Sequence, residues 1–272
     1  MEITPTHPQS RRAQPDQRLR HRTGFQRVPA VLLRQLSRIT LTLLLGLTMA
    51  TPAAAAPAAG ALQQRLQAWP QWTLPAPLER PGRDDLIYPD WFAGRWQVHS
   101  HDDPTPAGSG AELIYSVRFL RDPQGRVVGD RAYNASAVGR AALGERLLRV
   151  RNDPRNPNRQ IALLADGLQL ESTVIGRRSA VPDADTLLAA ELSLQVLHRS
   201  GEGGGDPRVS RVETLSRYRR QDDDRILGEQ WQASYGSPSE GLAASAQRSW
   251  HGTLVLEREL EPAADTGAAP TS

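Results

Sequence analysis

Between Gly94 and Arg258 the chain keeps returning to one pattern. Apolar and polar residues alternate for a short run, then a turn signal interrupts. GRWQVHS (94–100) puts Trp96 and Val98 on one face, and LIYSVRFL (113–120) puts Leu113, Tyr115, Val117 and Phe119 on one face. Side chains alternate across a strand and recur every 3.6 residues on a helix, so this period suits a half-buried strand and not a helix. Asp-Pro, Gly and Asn-Pro punctuate the runs at RDPQGR (121–126) and DPRNPN (153–158). VVGDRAYN (127–134) reads as a further strand, and ASAVGRAALG (135–144) as a short helix closed by Gly144. The expected fold is mainly β: an antiparallel up-and-down β-barrel of about 8–10 strands with one short helix, over residues 85–260.

Alternation also assigns an interior. Thr214, Ser216, Gln230 and Gln232 fall on candidate inward positions, which suits a partly hydrated cavity. Tyr115, Tyr133, Trp231 and Tyr235 offer amphipathic walls for a small ligand, and an inward Arg177 offers a rigid donor fork for its anionic group.

The segments outside the barrel have other compositions. Residues 1–55 read as a secretory signal: an Arg-rich stretch to Arg38, the apolar ITLTLLLGLTMA (39–50), then small residues with Ala53 and Ala55 at the cleavage position. Residues 56–84 form a Pro/Ala-rich linker, in which LQQRLQAW (62–69) makes a helical turn or two and Trp69 and Trp72 pin the chain to the domain. Residues 261–272 are expected to be a disordered tail.

Charge and composition narrow the chemistry. The net charge of +3 divides into +6 up to Ala55 and −3 beyond it, so the basicity belongs to the leader. A mildly acidic domain is a poor nucleic-acid binder. All 33 basic residues are Arg, and there is no Cys. Schiff-base or phosphate-cradling lysines, thiol nucleophiles and thiolate metal sites are therefore excluded. His99 and His101 share the face opposite Trp96 and point to solvent; a metal site needs further ligands, and none is expected. GSPSEG (236–241) has the wrong spacing for a nucleophile elbow, and GEGGGD (201–206) precedes no helix. No catalytic residue, cofactor or metal is expected.

Two resemblances follow from particular motifs. WFAGRWQV (91–98) resembles the Gly-x-Trp signature that leads into the first strand of lipocalin-type (calycin) barrels. That resemblance implies a structural seal made by Tyr88, Trp91, Phe92, Gly94 and Trp96, with Arg258 (or Arg248) stacked on Trp96. DLIYPDWFAGRWQVHS, GDRAYNASAVGRAALG, NDPRNPNRQIALL and LESTVIGRRS, in that order, resemble an uncharacterised domain family of cyanobacteria and plant thylakoid-lumen proteins. It implies a thylakoid-lumen or periplasmic location and supplies no catalytic residues.

The functional expectation is an exported, non-catalytic barrel that binds a small hydrophobic or amphipathic ligand inside, with Trp96, Tyr115, Tyr133, Arg177 and Trp231 as its wall. A second expectation is an interaction or assembly factor at the periphery of a membrane complex, its barrel filled by side chains. A third is an enzyme of unknown reaction.

Overall fold

The computed structural model describes residues 52–74, 78–103, 112–199, 205–241 and 243–259. Most of the expected leader, the tail at 261–272 and most of the Gly-rich loop at 200–207 lie outside them. Ten strands form one sheet: β1 (Gly94–Asp102), β2 (Glu112–Arg121), β3 (Val127–Gly129), β4 (Leu147–Asn152), β5 (Arg159–Leu164), β6 (Leu168–Asp183), β7 (Thr186–Arg199), β8 (Arg208–Arg220), β9 (Arg225–Tyr235) and β10 (Arg248–Arg258). The order is β3-β2-β1-β10-β9-β8-β7-β6-β5-β4, with every neighbour antiparallel. Apart from β3 and β4, which form the two edges, each strand thus lies beside its neighbour in sequence, and β1 pairs β10. The sheet curls into an incomplete up-and-down barrel whose seam falls between β3 and β4.

A helix fills that seam. α2 (Arg131–Leu143; α1 is described below) connects β3 to β4 and packs on β2 and β4. It starts four residues before the sequence pattern suggests, because the Asp130 side chain caps it by accepting from the Tyr133 N–H, which moves Tyr133 from strand to helix. Gly144 ends it at φ 57°. Ala135, Val138 and Ala142 form its buried stripe. Beyond the short β3, Asn134 stands in for a strand: its side chain accepts from the Arg118 N–H at 2.7 Å and donates to the Arg118 carbonyl at 3.0 Å. Arg118, on the edge of β2, therefore keeps its backbone groups satisfied without a strand partner.

A strap closes the same gap at one end. Glu79 forms a β-bridge with Arg177 on β6, and Tyr88 forms one with Val127 on β3. Leu86 and Tyr88 between them are buried. This segment spans the two sides of the seam.

A second helix, α1 (Pro52–Gln67), is longer than the prolines at 70, 75, 77 and 81 suggested. All four follow the helix, and the Ala-rich run before LQQRLQ extends it. Leu62, with Trp72 and Leu74 beyond it, packs on Leu188, Ala190, Leu215 and Ala233. These strand residues lie on the outer face, so the barrel carries a second hydrophobic layer there. Ala59 and Leu62 are the buried residues of α1 among those whose burial is described.

Candidate functional site

Directly opposed residues of neighbouring strands share a face, so the register traces the interior. At one end an apolar cluster gathers Phe92, Trp96, Val98, Tyr115, Val117, Phe119, Tyr218, Ile226, Leu254 and Leu256. A second cluster, with Leu147, Leu164, Leu170 and Leu197, lies under α2. A polar belt fills the interior as well. Gln232, Thr214, Glu191 and Arg177 follow one another across β9, β8, β7 and β6. Ser210, Gln195, Ser172 and Gln160 do so across β8 to β5. Gln230 donates to Ser216 Oγ and the Tyr218 hydroxyl, both at 3.0 Å, and Gln232 donates to Thr214 Oγ1 at 3.1 Å.

Two of the voids among the described residues are small. A void of about 30 Å³ lies among Tyr88, Val98, Tyr115, Asn134, Tyr218 and Gln230. Another of about 90 Å³ lies toward the opposite end, near Leu170, Gln195, Leu197, Arg208 and Arg248. Both fall well below the ~300–1,000 Å³ usual for small-molecule sites.

The aromatic residues at the lead-in come together at the closed end. Trp91 stacks on Phe92 at 4.4 Å between centroids, and Tyr88 meets Phe92 edge-on at 4.8 Å. Trp96 is fully buried and donates its indole N–H to the Phe92 carbonyl at 2.7 Å. The Arg258 guanidinium covers the Trp96 ring at 4.2 Å. Arg258 also donates to the carbonyls of Ala93 (2.8 Å), Trp91 (3.3 Å) and Asp223 (2.8 Å). Gly94 has φ 116° and sits against Arg258 Nη1.

Of the five residues expected to wall a single pocket, Tyr115 and Tyr133 border one hollow between β2 and α2, and the five do not all meet in one place. Trp96 and Tyr115 lie in the apolar cluster at the closed end. Tyr133 lies on the flank of α2, where Arg118 stacks on it at 4.7 Å. Trp231 lies on the outer face beneath Arg217 (5.4 Å) and beside His251 (5.0 Å). Its parity explains this: Gln230 and Gln232 point inward, so Trp231 between them points out. Arg177 is inward and buried, but its donors are used by the protein. Nε donates to Glu191 at 2.6 Å, Nη2 to Asn158 Oδ1 at 2.9 Å and Nη1 to the Asp84 carbonyl at 3.0 Å.

Sequence reasoning missed Arg131, the first residue of α2. It is 5% exposed and donates through Nη1 to Asp85 at 3.3 Å. Burial pulls its pKa down and nearby Arg177 adds to this, while Asp85 and Glu191 oppose it. Burial likewise pushes the Tyr88 phenol well up, with Tyr218 and Glu191 adding to it. The available signal was a basic residue directly after a helix-capping Asp, where the helix dipole disfavours a cation.

A different hollow lies on the outside. Between β2 and α2 runs an open groove of about 510 Å³, whose lining includes Ile114, Tyr115 and Ser116 from β2 and Tyr133, Ser136, Ala137, Arg140 and Ala141 from α2. Ile114 is 52% exposed there. His99 and His101 also face outward, 3.9 and 3.8 Å from Glu112. Among the described residues no group of three or more His, Cys, Asp or Glu is placed to hold a metal ion.

No curated protein and no solved structure matches the chain. A family model, described as Domain of unknown function (DUF6816), matches residues 105–250, from the β1–β2 connection to the start of β10. The match covers more than half of the chain, which therefore belongs to this family of uncharacterised domains.

Proposed function

We propose that the chain is an exported, non-catalytic binding protein for a small amphipathic ligand, held in the groove between β2 and α2. The observation that carries this reading is the volume comparison. The groove, at about 510 Å³, falls in the size class of ligand sites, whereas two interior voids among the described residues, of about 30 and 90 Å³, do not. Ile114, Ala137 and Ala141 would take the apolar part by burial, and Tyr133, Ser116, Ser136 and Arg140 would orient a polar or anionic head. The leader supports export to a periplasm or thylakoid lumen. The Arg258–Trp96 stack supports a lipocalin-like relationship.

A fluorescent long-chain fatty acid, titrated into the purified chain, tests the reading. Saturable binding that Ile114→Asp abolishes and Leu256→Ala leaves in place is expected. Absence of saturation with this probe and with a neutral amphiphile would overturn it.

A second reading is an assembly factor at the edge of a membrane complex. It is favoured by the side-chain-filled interior, together with Ile114 and Leu148, 52% and 60% exposed on strands that both pack against α2.

A further inference from the structure

The end of the barrel opposite the Trp96 seal carries two cations that the fold does not use. Arg208 stands directly opposite Leu197 in the β7–β8 ladder. Arg248 stands opposite Ser234, which in turn faces Val212 on β8. Opposed residues share a face, so both arginines belong to the inward face. They border the same hollow of about 90 Å³, whose lining includes Leu197, Val212, Gln195 and Ser210. Both residues are exposed, and neither has an ion pair or a hydrogen bond among the described residues. The acidic groups of this end are used elsewhere or stand apart. Glu240 accepts from the Ser237 N–H and from Gln247. Asp206 is exposed, and neither it nor the inward Asp102 forms an ion pair with Arg208 or Arg248. One ladder step from Gln195 lies Ser172, 7% exposed, whose Oγ has no partner among the described residues. An unpaired buried hydroxyl is costly, so polar capacity is left over beside the hollow as well as at its rim.

We propose that this hollow is a second binding site, for a doubly charged tetrahedral oxyanion: inorganic phosphate or the phosphate group of a monoester, gripped by Arg208 and Arg248. Guanidinium forks match phosphate oxygens two at a time, and two unpaired cations suit a dianion better than a halide or a single carboxylate. The volume agrees. About 90 Å³ is roughly three times the share of one water molecule in the liquid, room for a phosphate group and little more. The body of an ester would lie outside, past the exposed arginines. The hollow and the outer groove share no lining residue, so the site is independent of the amphiphile-binding reading.

Isothermal titration calorimetry of the purified chain, at pH 8 and fixed ionic strength, tests this with sodium phosphate and separately with dihexanoyl phosphatidate below its micellar range. Saturable binding of phosphate at one site per chain is expected. Arg208→Gln and Arg248→Gln should each weaken it about tenfold, the scale of one lost charge-assisted hydrogen bond. Arg219→Gln, which removes the same charge from the other end of β8, should leave it unchanged. Tighter binding of the phosphatidate than of phosphate assigns the site to a lipid headgroup, and equal binding assigns it to the free ion or a soluble ester. Absence of saturation with both probes overturns the proposal. So does binding that survives Arg208→Gln combined with Arg248→Gln, or that Arg219→Gln weakens equally. Failure of fatty acid to bind the outer groove leaves these outcomes unaffected.

Discussion

The guanidinium of Arg258 lies 4.2 Å over the ring of Trp96. The two residues stand near opposite ends of the barrel sequence and are direct partners in the β1–β10 ladder. The same side chain donates to three carbonyls, at Trp91, Ala93 and Asp223. It thus joins the first strand, the last strand, the aromatic lead-in and the β8–β9 turn. A sequential sheet needs its first and last strands brought together, and this residue does so at the closed end.

Arg258→Ala should therefore destabilise the fold by about 2–4 kcal/mol, through lost charge-assisted hydrogen bonds and the lost cation–ring contact. Arg258→Lys should recover only part of this, since an ammonium cannot stack on the ring and reach three carbonyls together. Urea unfolding midpoints measure both. A loss below about 0.5 kcal/mol, the range of ordinary surface substitutions, would show that the stack contributes little.

Gly94 tests the same junction from the backbone side. Its φ of 116° disfavours any side chain, and an added Cβ would lie 3.0 Å from Arg258 Nη1. Gly94→Ala should cost about 1–3 kcal/mol. In an Arg258→Ala background the cost should shrink but not vanish, because the strained φ remains. A double-mutant cycle separates the two contributions.

The barrel was legible because its cause is local. Alternation in β1, β2 and β6 to β10 is written in consecutive residues, as is the lead-in from Tyr88 to Trp96. The closure was not. Asn134 acts as a strand surrogate only once α2 lies beside Arg118, and Glu79 pairs with a residue 98 positions later. The start of α2 was misplaced because Tyr-Asn looks β-like until the Asp130 cap is recognised. The candidate site was legible in part: alternation gave the inward Gln230 and Gln232, but the pairing of Arg131 with Asp85 and of Arg177 with Glu191 depends on contacts between distant elements.

The α1 latch offers a sharper energetic test. Glu213 is fully buried and accepts from Arg65 Nε at 2.8 Å and from the Tyr235 hydroxyl at 2.7 Å. Removing the cation alone leaves a buried carboxylate uncompensated, so Arg65→Met should cost about 3–5 kcal/mol. Arg65→Met combined with Glu213→Gln should be more stable than Arg65→Met alone, because the stranded charge is gone. If the double variant is less stable than the single one, the pair acts through packing and not through charge.

Alkaline unfolding supplies the pH test. Four of the five tyrosines, Tyr88, Tyr115, Tyr218 and Tyr235, have phenol pKa values raised, in each case first by burial, with Tyr218 pushed up to about 12. A raised folded-state value means that the unfolded chain loses protons first, near the ordinary phenol value of about 10. Stability is then flat through neutral pH and falls as pH rises from about 10 toward 12, where the unfolded state binds fewer protons than the native one. The tyrosinate absorbance of these residues should consequently appear in one cooperative step that coincides with loss of the far-ultraviolet β signal. Tyr218→Phe should move that step to higher pH, since it removes one group whose ionisation favours unfolding, at the expense of the hydrogen bond from Gln230. Gradual ionisation of all five phenols ahead of any loss of β structure would refute the buried arrangement of the aromatic cluster.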